Sequence, residues 1–342
     1  MTLKHTIILA ASAVLLSPPS LAVPPGTSPG PGAHYATDAY PGFDREAPLP
    51  ERKKTPRWFS WINGPKRSDA ASQYAFALEC VSNQSYSAAC KACDALVREW
   101  PASAQAPLAQ EKLADLLLEA DNDFEGAFRE YKYLLDYYSS QCNFDAIAYR
   151  LYEVAKLMRK HGKHLMWVRF DNNVAVRRAF EAVVLRAPGA VYAPEAMLTI
   201  AELRESDAEF EEAVRVYESI RMLYAHSPAA RTSIPREARC RMAVLRRHNY
   251  NRSLNQDTID FLRLALRSGL DENARIELEG FLSEATRNIE DEAYRAAKFY
   301  DSRTRTRQSA ISAYEQFLKI HPLSEHAEKA RARIEELKKE SK

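Results

Sequence analysis

Residues 86–101 read Tyr86-Ser87-Ala88-Ala89-Cys90-Lys91-Ala92-Cys93-Asp94-Ala95-Leu96-Val97-Arg98-Glu99-Trp100-Pro101, and the pattern inside them decides the fold. Counting from Tyr86, Ala89, Cys93, Leu96 and Trp100-Pro101 fall at +3, +7, +10, +14 and +15. The same offsets from Phe124 give Ala127, Tyr131, Leu134 and Tyr138. From Asn173 they give Val176, Phe180, Val183 and Ala187-Pro188, and from Phe210 Ala213, Tyr217, Ile220 and Tyr224. A fifth copy runs from Arg307 through Ala310, Tyr314 and Phe317 to His321-Pro322. Steps of three and four residues lay one apolar stripe along an α-helix. The small residue lets a neighbouring helix approach, the +7 side chain fills the space beside it, and the proline ends the helix on a turn. A second stripe follows: Ala106, Ala109, Leu113, Ala114 in copy one, Ala193, Ala196, Ile200, Ala201 in copy three, Ala327, Ala330, Ile334 in copy five. Each copy is therefore a helical hairpin, and stacked hairpins bury their stripes against one another as an all-α solenoid.

The copies begin at intervals of 38, 49, 37 and 97 residues. The 49 contains an insertion around residues 160–167, and the 97 covers a region, 235–300, that reads as helices without a clean repeat. The order small residue, aromatic, aliphatic, proline resembles the second helix of the tetratricopeptide repeat (TPR), whose standard unit is about 34 residues. The longer unit with Pro-x-Ser links (Pro101-Ala102-Ser103, Pro322-Leu323-Ser324) resembles the BamD family more specifically. So does the stretch Ala293-Tyr294-Arg295-Ala296-Ala297-Lys298-Phe299-Tyr300-Asp301-Ser302-Arg303, followed by Ala310, Tyr314, Phe317-Leu318, Pro322, Arg331 and Arg333. That family is the TPR component of the outer-membrane β-barrel assembly complex. The resemblance covers residues 68–340 in architecture and 290–325 in distinctive motif. It implies about five hairpins with a C-terminal capping helix. It also implies a C-terminal half that holds the barrel-assembly subunit and N-terminal repeats that meet unfolded barrel substrates. Within the motif Arg303 and Tyr300 are the candidate contacts, with Phe299 and Tyr300 expected to lean toward the core and Arg303 toward the surface.

Residues 1–22 read as a secretory signal: Lys4-His5, an apolar run from Thr6 to Leu16, and the small-x-small site Ser20-Leu21-Ala22. The run is too short for a bilayer, which needs about 20 residues. The family's lipid-bearing cysteine does not follow it, since the first cysteine is Cys80. The expectation is a periplasmic chain without lipidation, held at the inner face of the outer membrane by a partner. A soluble adaptor like the Tol-Pal coordinator family is the alternative that the missing cysteine favours. Residues 23–66 form a proline-rich tether, with eight of the chain's 18 prolines in 23–57. A segment so poor in apolar periodicity is expected to stay disordered. Its end carries Trp58 and Trp61 among basic residues, suited either to a membrane interface or partner, or to packing back on the first helices. The repeat domain spans 67–342, with a possible division into 67–230 and 235–342.

The formal net charge is +2, which gives no polyelectrolyte pull toward nucleic acid. Only ten glycines occur, and the sequence holds no phosphate loop, nucleophile elbow or zinc-protease motif. No catalytic constellation, cofactor or metal site is expected, and the chain reads as a protein-binding scaffold rather than an enzyme. His161-x-x-His164 sits among lysines beside Gly162 and reads as an exposed loop. Cys90-x-x-Cys93 falls within a repeat helix, where packing or a disulfide explains it better than redox chemistry. A Cys80–Cys90 bridge across the first hairpin is one of several connectivities open to five cysteines. Residues 215–267 hold eleven arginines, among them Arg239, Arg246 and Arg247, against four acids, and residues 271–295 reverse the sign with eight acids against three arginines. Either the two helical stretches compensate each other, or the arginines form a docking face for acidic partners.

Overall fold

The computed structural model describes residues 40, 43, 49–54, 64–161, 163–165, 168–170, 173–248, 251–303 and 307–339. The expected signal and the Trp58/Trp61 patch lie outside them. Thirteen helices run in chain order among the described residues. They are α1 (Ala70–Ser82), α2 (Tyr86–Glu99), α3 (Gln105–Glu119), α4 (Phe124–Tyr138), α5 (Phe144–His161), α6 (Asn173–Arg186) and α7 (Ala193–Ser206). Then come α8 (Phe210–Leu223), α9 (Pro228–Arg247), α10 (Arg252–Ala265), α11 (Glu272–Arg303), α12 (Arg307–Ile320) and α13 (Ala327–Lys339). Each helix packs on the next, and α1 with α3, α7 with α9 and α9 with α11 also touch, as stacked hairpins require. This is an all-α solenoid. The insertion between α5 and α6 is a small antiparallel hairpin, β1 (Lys163–Leu165) with β2 (Val168–Phe170), rather than the loop expected.

The repeat register survives to the residue. Tyr86, Phe124, Asn173, Phe210 and Arg307 each open a helix, and the +3, +7 and +10 residues of all five copies are buried. The turns that lead into the copies are also equivalent. Gln84, Asn122 and Ala208, each two residues before a copy begins, hold φ of 59°, 52° and 59°. At two of them the amide of the following residue bonds back five residues, Ser85 to Cys80 and Glu209 to Arg204, closing a Schellman turn. The third turn carries Asp123, whose Oδ1 caps α4 by accepting the amide of Gly126 at 2.9 Å. A Cβ on Gly126 would sit 2.2 Å from the Asp123 carboxylate, so a side chain there would displace the cap.

The buried apolar residues form an N-terminal core from Ala77 to Cys240, a middle core from Ala238 to Ile289 and a C-terminal core from Ala297 to Leu337. The region without a clean repeat, 235–300, takes in the second half of α9, α10 and nearly all of α11. The 32 residues of α11 run from the middle core, through Leu278, Ala285 and Ile289, into the C-terminal core at Ala297.

Candidate protein-binding groove between α2 and α4

Residues 49–54 lie within the stretch expected to be a disordered tether, yet they are held against the repeats. The segment has no regular secondary structure and runs antiparallel to α4. Tyr137 donates its hydroxyl to the Leu49 carbonyl at 2.7 Å, and Leu49 packs on the N-terminal core. One turn earlier on α4, the Tyr133 hydroxyl accepts the Arg52 amide at 3.4 Å. The Arg52 guanidinium then lies 5.0 Å over the Tyr133 ring and pairs with both Asp94 on α2 and Glu130 on α4. Lys54 reaches Glu99 at 3.5 Å. Farther back, Tyr40 stacks on Phe43 and lies beside Tyr224 at the end of α8.

Two helices and two registers build this groove. Asp94 lies on α2 and also accepts Arg98 Nε at 2.6 Å. Glu130 is 6% exposed and is steadied by Gln110 of α3, whose Nε2 donates to its carboxylate at 2.8 Å. A cavity of about 440 Å³ opens beside the segment, lined by Leu49, Arg52, Cys90, Asp94, Glu130 and Tyr133. Burial pushes the Arg52 pKa down, while the Asp94 charge acts in the opposite sense. Arginine nevertheless stays charged. The arrangement can do one thing chemically: it clamps a planar cation between two carboxylates and an aromatic face.

The residues singled out from sequence fare differently. Arg239 pairs with Glu277 at 2.7 Å and Arg246 with Glu284 at 2.8 Å, so two residues seven apart on α9 meet two residues seven apart on α11. Arg247 covers the Phe210 ring at 4.7 Å and donates to the Ala208 carbonyl. Arg239 and Arg246 thus make the compensation considered above, while Arg247 ties α9 to the start of α8. Tyr300 and Phe299 are 49% and 57% exposed and meet edge to face, so the expectation that they lean into the core is corrected. The reason is register: the inward position on that turn of α11 is Ala297. Arg303 ends α11, with its side chain outside those described. Cys80 and Cys90 meet in one apolar cluster as thiols, and all five cysteines are free. Burial pushes the Cys90 thiol up to about 11 and Cys93 up to about 12, which removes thiolate chemistry at neutral pH. Among the described residues no group of His, Cys, Asp and Glu could hold a metal ion.

The groove itself was missed from sequence. A signal existed: α4 carries Tyr133 and Tyr137 on a face other than the repeat stripe of Ala127, Tyr131 and Leu134. A helix with aromatics on two faces must be covered on both. Nothing in the composition of residues 49–54 marks them as the cover.

No family model matches the chain, and no curated protein matches it. Among solved structures it is similar to the C-terminal part of a TPR repeat-containing protein from Cytophaga hutchinsonii, at 13% identity over 78% of this chain and 88% of that one, with a TM-score of 0.29. It is also similar to a tetratricopeptide repeat protein from Parabacteroides merdae, at 12% identity over 78% of this chain and 98% of that one, with a TM-score of 0.29. At such scores neither likeness bears weight, and the fold rests on the helix contacts and burial described above.

Proposed function

We propose that the protein is a non-catalytic scaffold that binds other proteins, exported to the periplasm and serving the assembly of β-barrel proteins in the outer membrane. The observation that carries the binding role is the α2–α4 groove, which already holds a non-helical stretch of polypeptide through a half-buried arginine, a backbone carbonyl and a backbone amide. Repeat solenoids present long surfaces of this kind to partners. The barrel-assembly setting is supported by the BamD-like stretch at 293–303 and the signal-like first 22 residues. The exposed pair Phe299 and Tyr300 gives the C-terminal half a surface for the barrel-forming subunit. The second reading, a Tol-Pal-like adaptor, is favoured by the absence of a cysteine after the apolar run.

The test is a crosslinking pull-down of the tagged protein from gently solubilised native envelopes, read by mass spectrometry. Recovery of the barrel-forming subunit, lost in an Arg303→Glu variant, is the expected result. Recovery of Tol-Pal or wall-synthesis proteins without that subunit would overturn the barrel-assembly reading.

A further inference from the structure

The carboxylates of the α2–α4 groove belong to the solenoid, and the cation between them does not. Glu130 is buried by its place on α4. Without Arg52 its carboxylate would face Gln110 and the side chain of Arg129, which is 61% exposed and reaches it only at 3.4 Å. A buried carboxylate so placed calls for a cation, because desolvation is repaid only by a close opposite charge. Asp94 points at the same spot from a second helix, and Tyr133 supplies an aromatic plane. Fork, plane and double acid describe a receptor for one guanidinium, which lysine would fill poorly.

The hold of residues 49–54 on that receptor is narrow. Arg52 is the one charge of the segment that is not exposed, with its side chain 12% accessible. Lys54 is 70% exposed, and such a surface pair contributes little. Leu49 is only partly buried. Beyond these contacts the segment is bound through two hydrogen bonds to tyrosine hydroxyls, Tyr133 and Tyr137. Any non-helical segment with an arginine in place and a preceding apolar residue can make the same set.

We infer that the α2–α4 groove is the docking site for an arginine-bearing, non-helical segment of the protein partner, and that residues 49–54 are an internal strap occupying it until that segment displaces them. This rests on the reading of the chain as a protein-binding scaffold and adds the chemistry of the partner and a means of regulation. A strap tethered in the same chain competes at high effective concentration, so the free groove is a minor state and affinity for a partner falls in proportion.

The experiment uses the full chain and a fluorescent peptide with the sequence of residues 47–56, followed by anisotropy. Arg52→Ala should bind this peptide at least about tenfold more tightly than the wild type, because its own strap no longer competes. Adding Glu130→Gln should remove the gain, and a peptide with alanine in place of its arginine should bind neither chain. Arg52→Lys keeps a cation for Glu130 without the fork and should fall between wild type and Arg52→Ala. Equal peptide affinity for wild type and Arg52→Ala, or binding indifferent to the peptide's arginine, would overturn the inference. So would loss of helical ellipticity in both Arg52 variants, since the strap would then be core. An Arg52-dependent dimer in light scattering would make the occupant a second copy's strap and overturn the partner. The two readings also separate. Peptide binding with no envelope partner recovered leaves the strap and removes the barrel-assembly role. Recovery of the barrel subunit together with equal peptide affinity for wild type and Arg52→Ala does the reverse.

Discussion

Asp136 and Arg186 form an enclosed ion pair, at 8% and 1% side-chain exposure, that ties α4 to α6. Arg186 donates from Nε and Nη2 to one carboxylate oxygen at 2.9 and 2.7 Å. Arg186→Ala takes the main partner from a buried carboxylate and should cost about 3–5 kcal/mol in urea unfolding. Neither residue belongs to the repeat stripe, so periodicity gave no sign of them. Asp301 is a second case. The Arg333 hydrogen bond holds its carboxyl below the usual carboxylate range, against a smaller opposing effect of burial. A carboxyl depressed in the folded state stabilises fully above its unfolded pKa, about 3.9, and loses that contribution as pH falls through the folded value. Thermal melts should therefore show a loss below about pH 4 that is shallower in Asp301→Asn. An identical slope in the variant would remove Asp301 from the account.

At the scale of the element, the same bonds recur copy by copy. Tyr138 donates to the Pro101 carbonyl at 3.0 Å and Tyr224 to the Pro188 carbonyl at 2.7 Å, each from a +14 position to the proline of the preceding copy. The +7 tyrosines Tyr131, Tyr217 and Tyr314 bond Asp115, Glu205 and Asp301 on the preceding helix. Each of those acids also takes an arginine from the following helix: Arg150, Arg236 and Arg333. All three arginines stand at +26, where the copies lacking a +7 tyrosine have Lys112 and Thr199. Hairpin boundaries and the buried stripe were legible in the sequence because they repeat with apolar residues. The clasp repeats too, but its acids sit at variable distances before the tyrosine, so spacing hid it. The irregular region at α10–α11 stayed opaque because, beside the apolar core it shares with α9, it is joined to α9 through Arg239 and Arg246, which no apolar pattern marks. Two substitutions test the element. Tyr224→Phe should cost about 0.5–1.5 kcal/mol in urea unfolding, the net worth of one hydrogen bond. Ala208→Gly should raise the urea midpoint by removing about 1 kcal/mol of left-handed strain; an unchanged or lower midpoint would contradict the Schellman geometry there.

Across the whole molecule the three cores are joined by long helices that serve two at once. Ala229, Ala230 and Cys240 of α9 lie in the N-terminal core, while Ala238, Met242 and Leu245 lie in the middle one. By the same token α11, about 48 Å long at helical rise, carries the C-terminal hairpin. Glu292→Pro, between its two cores, removes a helical hydrogen bond at a cost of about 3 kcal/mol or more. Hydrogen exchange should then quicken in α12 and α13 and remain slow in α2–α8, as expected of a chain of neighbour contacts. Uniform acceleration would contradict separate cores. The central claim is that the α2–α4 groove is a protein-binding site occupied by its own strap. A photo-crosslinking amino acid at Lys91, an exposed residue lining that groove, tests it in native envelopes. The account predicts crosslinks to residues 49–54 in the wild type. In Arg52→Ala they should move to an arginine-bearing segment of a barrel-assembly protein. Crosslinks confined to the protein's own chain in both would contradict it.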